Sequence, residues 1–379
     1  MSFFDSIIHA MTKNFAAVST GLVEGEISTI REEPVPTVPS DRILIRAEAY
    51  ASNPVDWKLV AGGWTRKGTV LGCDVSGVVE QVGANVTGFV VGDYVSAFLR
   101  GDYSNTEGAF QSFVVANPST IIKYDKSLFT STTPLSVGVH PRNYINTFEG
   151  AASVTLGLCT VAMSFPFCLG LKHELRDSYK DKYILIWGGA TSTGYLAIQV
   201  AKQIYGLKVI ATSSPANFDL LRELGADVVF DYHDEDVVDK IRQVGGANIP
   251  YALDTVSTVK TLQAVYDSTS YTEFVRLDNL LFLDEEDIVT DISRNVAFGK
   301  TSTFLVSGEP AHLADDYQQV PSGLVEVFTQ FWQDVLPKYI STIKHINLKV
   351  LHKGLDSVNE AMAIQSEGSL RGQKVVFRA

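Results

Sequence analysis

Residues 184–194 read ILIWGGATSTG. Four apolar residues run into two glycines, and Thr191, Ser192 and Thr193 precede a third glycine, Gly194. A helix N-terminus carries unpaired backbone N–H groups and a partial positive charge, so a tight strand-to-helix turn of this kind holds an anion. Gly189 reads as the turn glycine, Gly194 lets helix and strand pack closely, and Ala190 and Thr191 fill the middle. The Cβ of Thr191 keeps the backbone back, while its hydroxyl and those of Ser192 and Thr193 can donate to phosphate oxygens. The other reading of this stretch is an ordinary strand-to-helix turn without a ligand. The surrounding text decides between them.

Downstream, the sequence alternates strand and helix: YILIWG, then a helix through GYLAIQVAKQIYG, KVIATS, a helix through NFDLLRELG, DVVFDY, a helix through EDVVDKIRQVG, YALDTV, a further helix, and EFVRL. Strands separated by helices of about ten residues make βαβ units and a doubly wound parallel sheet, the setting in which a glycine loop binds a dinucleotide. Upstream, RILIRAEAYA, GCDVSGVVEQVG, VVGDYVSAF and GAFQSFVVA are short apolar runs between glycines, the pattern of a partly closed β structure. A helical stretch over 322–339 leads to INLKVL, a helix through SVNEAMAIQSEG and the strand QKVVFRA, which belong with the β-rich part. The expected domains are therefore a β domain from residues 1–150 and 341–379 and a doubly wound domain from residues 151–340.

Composition bounds the rest. At 379 residues, with 45% hydrophobic and 20% charged residues, the chain has the length and make-up of two globular domains. A net charge of −12 repels nucleic acid and acidic lipid. Three cysteines, Cys73, Cys159 and Cys168, are too few for a disulfide framework and fit a reducing compartment. The opening MSFFDSIIHAMTKNF has Asp5 in its apolar run and no basic start, so no secretory leader is expected and the cytoplasm is the expected location. AASVTLGLCTVAMSFPFCLGL, residues 151–171, is uncharged and long enough for a membrane span. Its small residues, Pro166 and its isolation make it a buried helix between domains instead. No GxSxG, HExxH or GxxxxGK followed by Ser or Thr is present, so hydrolase, zincin and ATPase chemistry lack support.

The second strand bears on the cofactor. It ends KVIATSSPANF, with Ser214, Pro215, Ala216 and Asn217 where an NAD site would place an acid, and no acid before Asp219. A carboxylate would repel a 2′-phosphate and these hydroxyls and amide accept one, which favours NADPH while leaving NADH open. A helix cap is the competing role for Ser214 and Asn217.

GGATSTG, ATSSPANFDLLRELGAD, FDYHDED and YALDTVS, with the upstream NPVDWK and GCDVSGVV and the terminal GSLRGQKVVF, resemble the medium-chain dehydrogenase/reductase superfamily from about Arg42 to the C-terminus. Within it the chain is most similar to the zinc-free quinone-oxidoreductase branch, which includes fungal stand-alone enoyl reductases and related aldehyde reductases. The resemblance implies a GroES-like barrel built from both chain ends and a Rossmann domain between them. It places Val55, Asp56, Trp57 and Lys58 beside the nicotinamide half, Ala190 to Thr193 on the pyrophosphate and Ser214 to Asn217 on the adenosine phosphate. It sets Tyr232 at the adenine side, Leu277 and Asp278 near the nicotinamide ribose, and Leu370 and Arg371 closing over it. Thr160 falls on the helix that lines the substrate cleft, either touching substrate or packing in the core. Stand-alone enoyl reductases work with polyketide synthases, so the resemblance also implies a synthase or carrier-protein partner.

Zinc members supply a Cys, a GHE motif and a second Cys or Asp to the catalytic metal, and four close cysteines to a structural one. NPVDWK and GCDVSG stand at those places here, and no zinc is expected. Hydride addition to a conjugated C=C makes a delocalised enolate, an easier task without a metal than making an alkoxide from an isolated carbonyl. Lys58, the cation of NPVDWK, either bonds the developing oxyanion or a ribose hydroxyl, or is a solvated barrel lysine. Asp56 either orients Lys58 or the loop, or is a structural cap. The expected activity is NADPH-dependent reduction of small conjugated carbonyl compounds, with reduction of simple aldehydes as the alternative.

Overall fold

The computed structural model describes residues 13–101, 103, 107–313 and 316–379. The first twelve residues, on which the expected absence of a leader rests, lie outside them. The described residues divide into two compact units, one of residues up to Leu156 with Glu309–Gln319 and Ile340–Ala379, the other of Gly157–Gly308 and Val320–Tyr339.

The second unit is a parallel sheet of six strands: β1 (Tyr183–Trp187), β2 (Lys208–Ser213), β3 (Val228–Asp231), β4 (Tyr251–Asp254), β5 (Phe274–Asn279) and β6 (Asn295–Lys300). Their order is β3-β2-β1-β4-β5-β6. The order reverses between β1 and β4, and in open α/β sheets ligands bind outside the strand C-termini at such a reversal. Helices α1 (Ser192–Gln203), α2 (Phe218–Leu224), α3 (Val237–Gly245) and α4 (Val259–Ser268) make the crossovers. Leu185, Ile210, Ile241, Ala252, Leu262 and Leu277 form a core under β1, β2, β4 and β5. The sixth strand, which the sequence pattern does not announce, closes this order. It returns from β5 through residues 280–294 with only a short 3₁₀ turn, Glu285–Asp287.

In the first unit an eight-stranded sheet curls into a half-barrel of GroES-like type. Ile43–Ala51 pairs with Asp74–Val82, Phe113–Ala116 and the C-terminal strand Gln373–Arg378, all antiparallel, so both chain ends meet in one sheet. Shifts in register at Leu44/Ile45 and Ala47/Ala49 mark bulges, which bend a strand. Inside, the rings of Tyr50, Phe110 and Phe377 pack with centroids 5.2 to 5.8 Å apart. The Tyr50 hydroxyl donates to the Gln111 carbonyl at 2.8 Å, satisfying the polar end of a fully buried ring. A hairpin of Lys13–Ser19 and Ser28–Pro34, also unforeseen, reaches the barrel through bridges from Ala16 to Gln111 and from Val18 to Val70.

Among the described residues one helical run, Phe148–Cys168, is long and apolar enough to cross a membrane, and 83% of its most apolar window is buried in the protein. Pro166 lies in a π-helical turn, Ser164–Cys168, at its end.

Phe377 joins the last strand to the aromatic cluster, so Phe377→Ala leaves a cavity where both chain ends meet. Denaturant unfolding should show a loss of about 3–5 kcal/mol.

Candidate dinucleotide and reductase site

The loop after β1 is built by close approach. Gly188, at φ +83°, is the residue in the left-handed region, and a Cβ on it would meet Thr255 Oγ1 at 2.6 Å. The turn glycine is therefore Gly188 and not Gly189. Gly189 instead makes room for its neighbours: a Cβ there would come within 2.9 Å of Leu221 and 3.1 Å of Ala211. At Gly194 a Cβ would lie 2.3 Å from the Gly188 carbonyl oxygen, so helix α1 starts pressed against the turn. Thr212 on β2 holds the turn from the other side, accepting Gly188 N–H on its hydroxyl at 3.0 Å and Gly189 N–H on its carbonyl at 2.8 Å.

Thr191 is the N-cap of α1. Its hydroxyl oxygen accepts the Gly194 N–H at 3.0 Å and its proton goes to Thr255 Oγ1 at 2.9 Å. Thr255 in turn lies 2.8 Å from the Trp187 carbonyl oxygen. With the Thr191 proton committed to Thr255, the donors left for an anion are the amides at the start of α1 and the hydroxyls of Ser192 and Thr193. Ala190, Thr191, Ser192 and Thr193 are half-exposed, so an anion can reach this helix end. The cradle fits a dinucleotide pyrophosphate: two glycines are needed for its shape, and a capped helix end opens on it.

At the end of β2, Asn217 Nδ2 donates to Ser214 Oγ at 3.2 Å, and neither side chain caps a helix. That removes capping as their role. Pro215 and Ala216 are exposed between them. Asp219, the nearest acid on this stretch, is turned to solvent and paired with Arg222 at 3.1 Å. Tyr232, 45% exposed, follows β3 with its ring against His233.

Leu277 and Asp278 on β5 are both fully buried, so neither side chain is displayed to a ligand. Asp278 takes a hydrogen bond from Thr301 at 2.6 Å and lies beside Ser164 and Cys168 of the π-helical turn. Burial pushes its carboxyl up to about 6, and the same burial, with Asp278 beside it, pushes the Cys168 thiol well above its ordinary range. Thr160 is buried, 7% exposed.

Sequence reasoning missed the polar residues that shape the strand ends. Asp254 accepts the N–H groups of Val256 and Ser257, both at 2.9 Å, and Thr261 donates to it at 2.6 Å. The Ser257 hydroxyl accepts Leu280 N–H at 2.8 Å, tying the end of β4 to the end of β5. YALDTVS contains Asp254, Thr255 and Ser257, and a run of hydrogen-bonding residues at a strand end was the available signal.

In the barrel unit, helix Pro54–Ala61 begins with Pro at its first position, and the Asp56 carboxylate accepts Asn53 N–H at 2.7 Å. Asp56 is fully buried and serves this cap, the second of its two expected roles. Val55, Trp57 and Lys58 are half-buried, and burial lowers the affinity of the Lys58 amine for its proton. Trp57 and Leu370 pack on the same core. Arg371 is exposed and spends one guanidinium nitrogen on the Gly368 and Leu370 carbonyls.

NPVDWK and GCDVSG meet around a lysine. Lys374 Nζ donates to Asn53 Oδ1 and lies 3.6 Å from Asp74, while Asn53 Nδ2 donates to Asp74 at 2.9 Å. Cys73 hydrogen-bonds Asp56, and Lys374 is only 3% exposed. Asn53 and Asp74 thus already hold a cation, with Asp56 near it and Cys73 bonded to Asp56, and the set does not fit zinc. Among the described residues no group of three or more His, Cys, Asp or Glu is arranged to hold a metal.

Two carboxyls share one ammonium in full burial. Burial above all, with the Asp74 charge adding to it, pushes Asp56 up to about 7. A carboxyl raised on folding contributes stability that is complete below its unfolded value, about 4, and lost as pH rises through about 7. Wild-type melting temperature should therefore fall between about pH 4 and 7, and Asp56→Asn should flatten that slope. At the loop, Thr191→Val should cost about 1 kcal/mol through loss of the cap, and Thr191→Ser should restore it, both read by chemical denaturation.

Residues 193–273 match the family described as zinc-binding dehydrogenase, and residues 39–126 match the alcohol dehydrogenase GroES-like domain. The chain is 33% identical over 368 residues to the trans-enoyl reductase ACTTS2 of Alternaria alternata, covering 94% of this chain and 96% of that one. It is 30% identical over 365 residues to the uncharacterized protein YNL134C of Saccharomyces cerevisiae, with the same coverage, 94% and 96%. The structure of CurK enoyl reductase shares the fold, with a TM-score of 0.72 at 16% identity over 97% of this chain and 99% of that one. With the parallel sheet, the half-barrel and a lysine enclosed by the barrel's polar cluster, these full-length similarities make the chain a member of the medium-chain dehydrogenase/reductase superfamily, in its zinc-free branch of oxidoreductases.

Proposed function

We propose that this oxidoreductase uses NADPH to reduce the C=C bond of α,β-unsaturated carbonyl compounds. The observation that carries the reading is the pair of strand ends beside the sheet reversal. A capped, glycine-shaped helix end at Gly188 to Gly194 suits a pyrophosphate, and the acid-free Ser214 to Asn217 turn suits a 2′-phosphate. The match to a trans-enoyl reductase over nearly the whole chain supports the substrate class.

When bound, reduced nicotinamide supplies a hydride to the substrate's β-carbon. The chain's own work is to hold and polarise. Ser192 and Thr193, with the first amides of α1, hold the pyrophosphate. Ser214 and Asn217 would hold the adenosine phosphate, and Tyr232 would serve the adenine side. Lys58, its ammonium made a better proton donor by partial burial, donates a hydrogen bond to the enolate oxygen as charge develops there. The α-carbon then takes a proton from solvent or from a protein donor. A hydride acceptor of this kind reaches such enzymes free or on a carrier protein, and a synthase partner belongs to the same proposal.

Incubation with NADPH deuterated at the transferable position and an enal tests the reading. The expected product is the saturated aldehyde with deuterium on the β-carbon, and Lys58→Met should lower kcat about a hundredfold. An allylic alcohol as product would contradict C=C reduction. NADH oxidised as fast as NADPH would contradict the 2′-phosphate assignment.

A further inference from the structure

Among the described residues, only two that are not glycine have backbones in the left-handed region: Ser257, at φ 58°, and Phe282, at φ 64°. Each stands three residues beyond a strand, at the C-terminal ends of the neighbours β4 and β5. Bulky side chains are rare there because the Cβ crowds the backbone, and such residues gather at functional sites.

Ser257 has a local reason for its conformation. Its N–H binds Asp254, and its hydroxyl donates to the Asp254 carbonyl at 2.8 Å while accepting Leu280 N–H. Phe282 has none of that kind. It sits between two residues whose backbones are gripped by one side chain: Asn279 Oδ1 accepts the N–H groups of Leu281 and Leu283, at 3.2 and 3.0 Å, and Asn279 Nδ2 donates to the Leu283 carbonyl at 2.8 Å. The loop is set by Asn279, and a glycine at 282 would adopt the same backbone without strain.

Nor does the ring belong to the core cluster of the parallel sheet. Leu283 and Ile288 pack on the core of the parallel sheet, while Phe282 stands outside that cluster and pairs with no other ring among the described residues. It stays half-buried in a run of four apolar residues, Leu280-Leu281-Phe282-Leu283, with Leu281 43% exposed. Loops are ordinarily polar, and this one lies at the sheet edge where ligands bind.

We infer that Phe282 is a specificity-determining residue, held in an uphill backbone conformation so that its ring meets the hydrocarbon chain of the hydride acceptor. The inference rests on the reductase reading above and adds the apolar character of the substrate beyond its conjugated carbonyl. An apolar side chain at this point discriminates by chain length, and the loss of one such contact changes kcat/KM by about tenfold or more.

The test compares crotonaldehyde with trans-2-nonenal as substrates for wild type, Phe282→Gly and Phe282→Leu, alongside melting temperatures and NADPH affinity. Phe282→Gly should lower the long-to-short ratio of kcat/KM about tenfold, chiefly through KM for the long enal, with melting temperature maintained or raised and NADPH affinity unchanged. Phe282→Leu should retain most of the wild-type ratio. An unchanged ratio in Phe282→Gly overturns the inference and leaves the reductase reading standing. A fall in its melting temperature overturns it too, since the ring would then serve the fold. Failure of wild type to reduce either enal defeats the reductase reading, and this inference with it.

Discussion

A single hydroxyl organises the strand ends of the Rossmann unit. Thr191 caps α1 with its oxygen and passes its proton to Thr255, so the loop after β1 and the turn after β4 are joined across the point where strand order reverses. The link works only because Gly188 and Gly194 carry no side chain: a Cβ on Gly188 would displace Thr255, and one on Gly194 would strike the Gly188 carbonyl. From Thr255 the polar chain continues through Asp254 and Ser257 to Leu280, then through Asn279 and Thr301 to β6. Four neighbouring strand ends are thereby fixed to one another before any ligand arrives, which is the preorganisation that precise hydride transfer requires.

The barrel unit solves a different problem, that of a polar cluster inside an apolar sheet. Asn53, Asp56, Cys73 and Asp74 would be costly to bury alone, and Lys374 offsets this by bringing one positive charge from the far end of the chain. Full burial above all, with the Asp74 charge beside it, keeps the proton on Asp56 to near neutrality. A cation fixed in covalent structure takes the centre of this donor set.

Elements whose periodicity is local were legible in the sequence. The βαβ series, the β-rich first part and the glycine loop all announce themselves within windows of ten or so residues, because the side chains that bury each element are its own. The strand β6 was not, since it follows a long excursion with no helix to mark a crossover, and NVAFGK alternates too little to stand out. Nor was the role of Thr191. Its hydroxyl proton is taken by Thr255, 64 residues away, a partner that only the parallel register of β1 and β4 supplies. The exchange of roles between Gly188 and Gly189 has the same origin, because the side chains that crowd each glycine come from β2, α2 and the turn after β4. Asp278 read as a residue near a ribose, yet its carboxyl is enclosed by Thr301, Ser164 and Cys168. The left-handed backbones of Ser257 and Phe282 leave no mark in sequence, since neither residue type is one that favours that conformation.

The strand ends around the sheet reversal are held ready for a nicotinamide dinucleotide, which we propose is NADPH, and amide hydrogen exchange of the intact chain with and without NADPH tests this most directly. Slowed exchange at residues 188–194 and 212–217 is expected when NADPH is added, with little change in the hairpin strand Lys13–Ser19. NADPH binding that leaves residues 188–194 exchanging as before would contradict it.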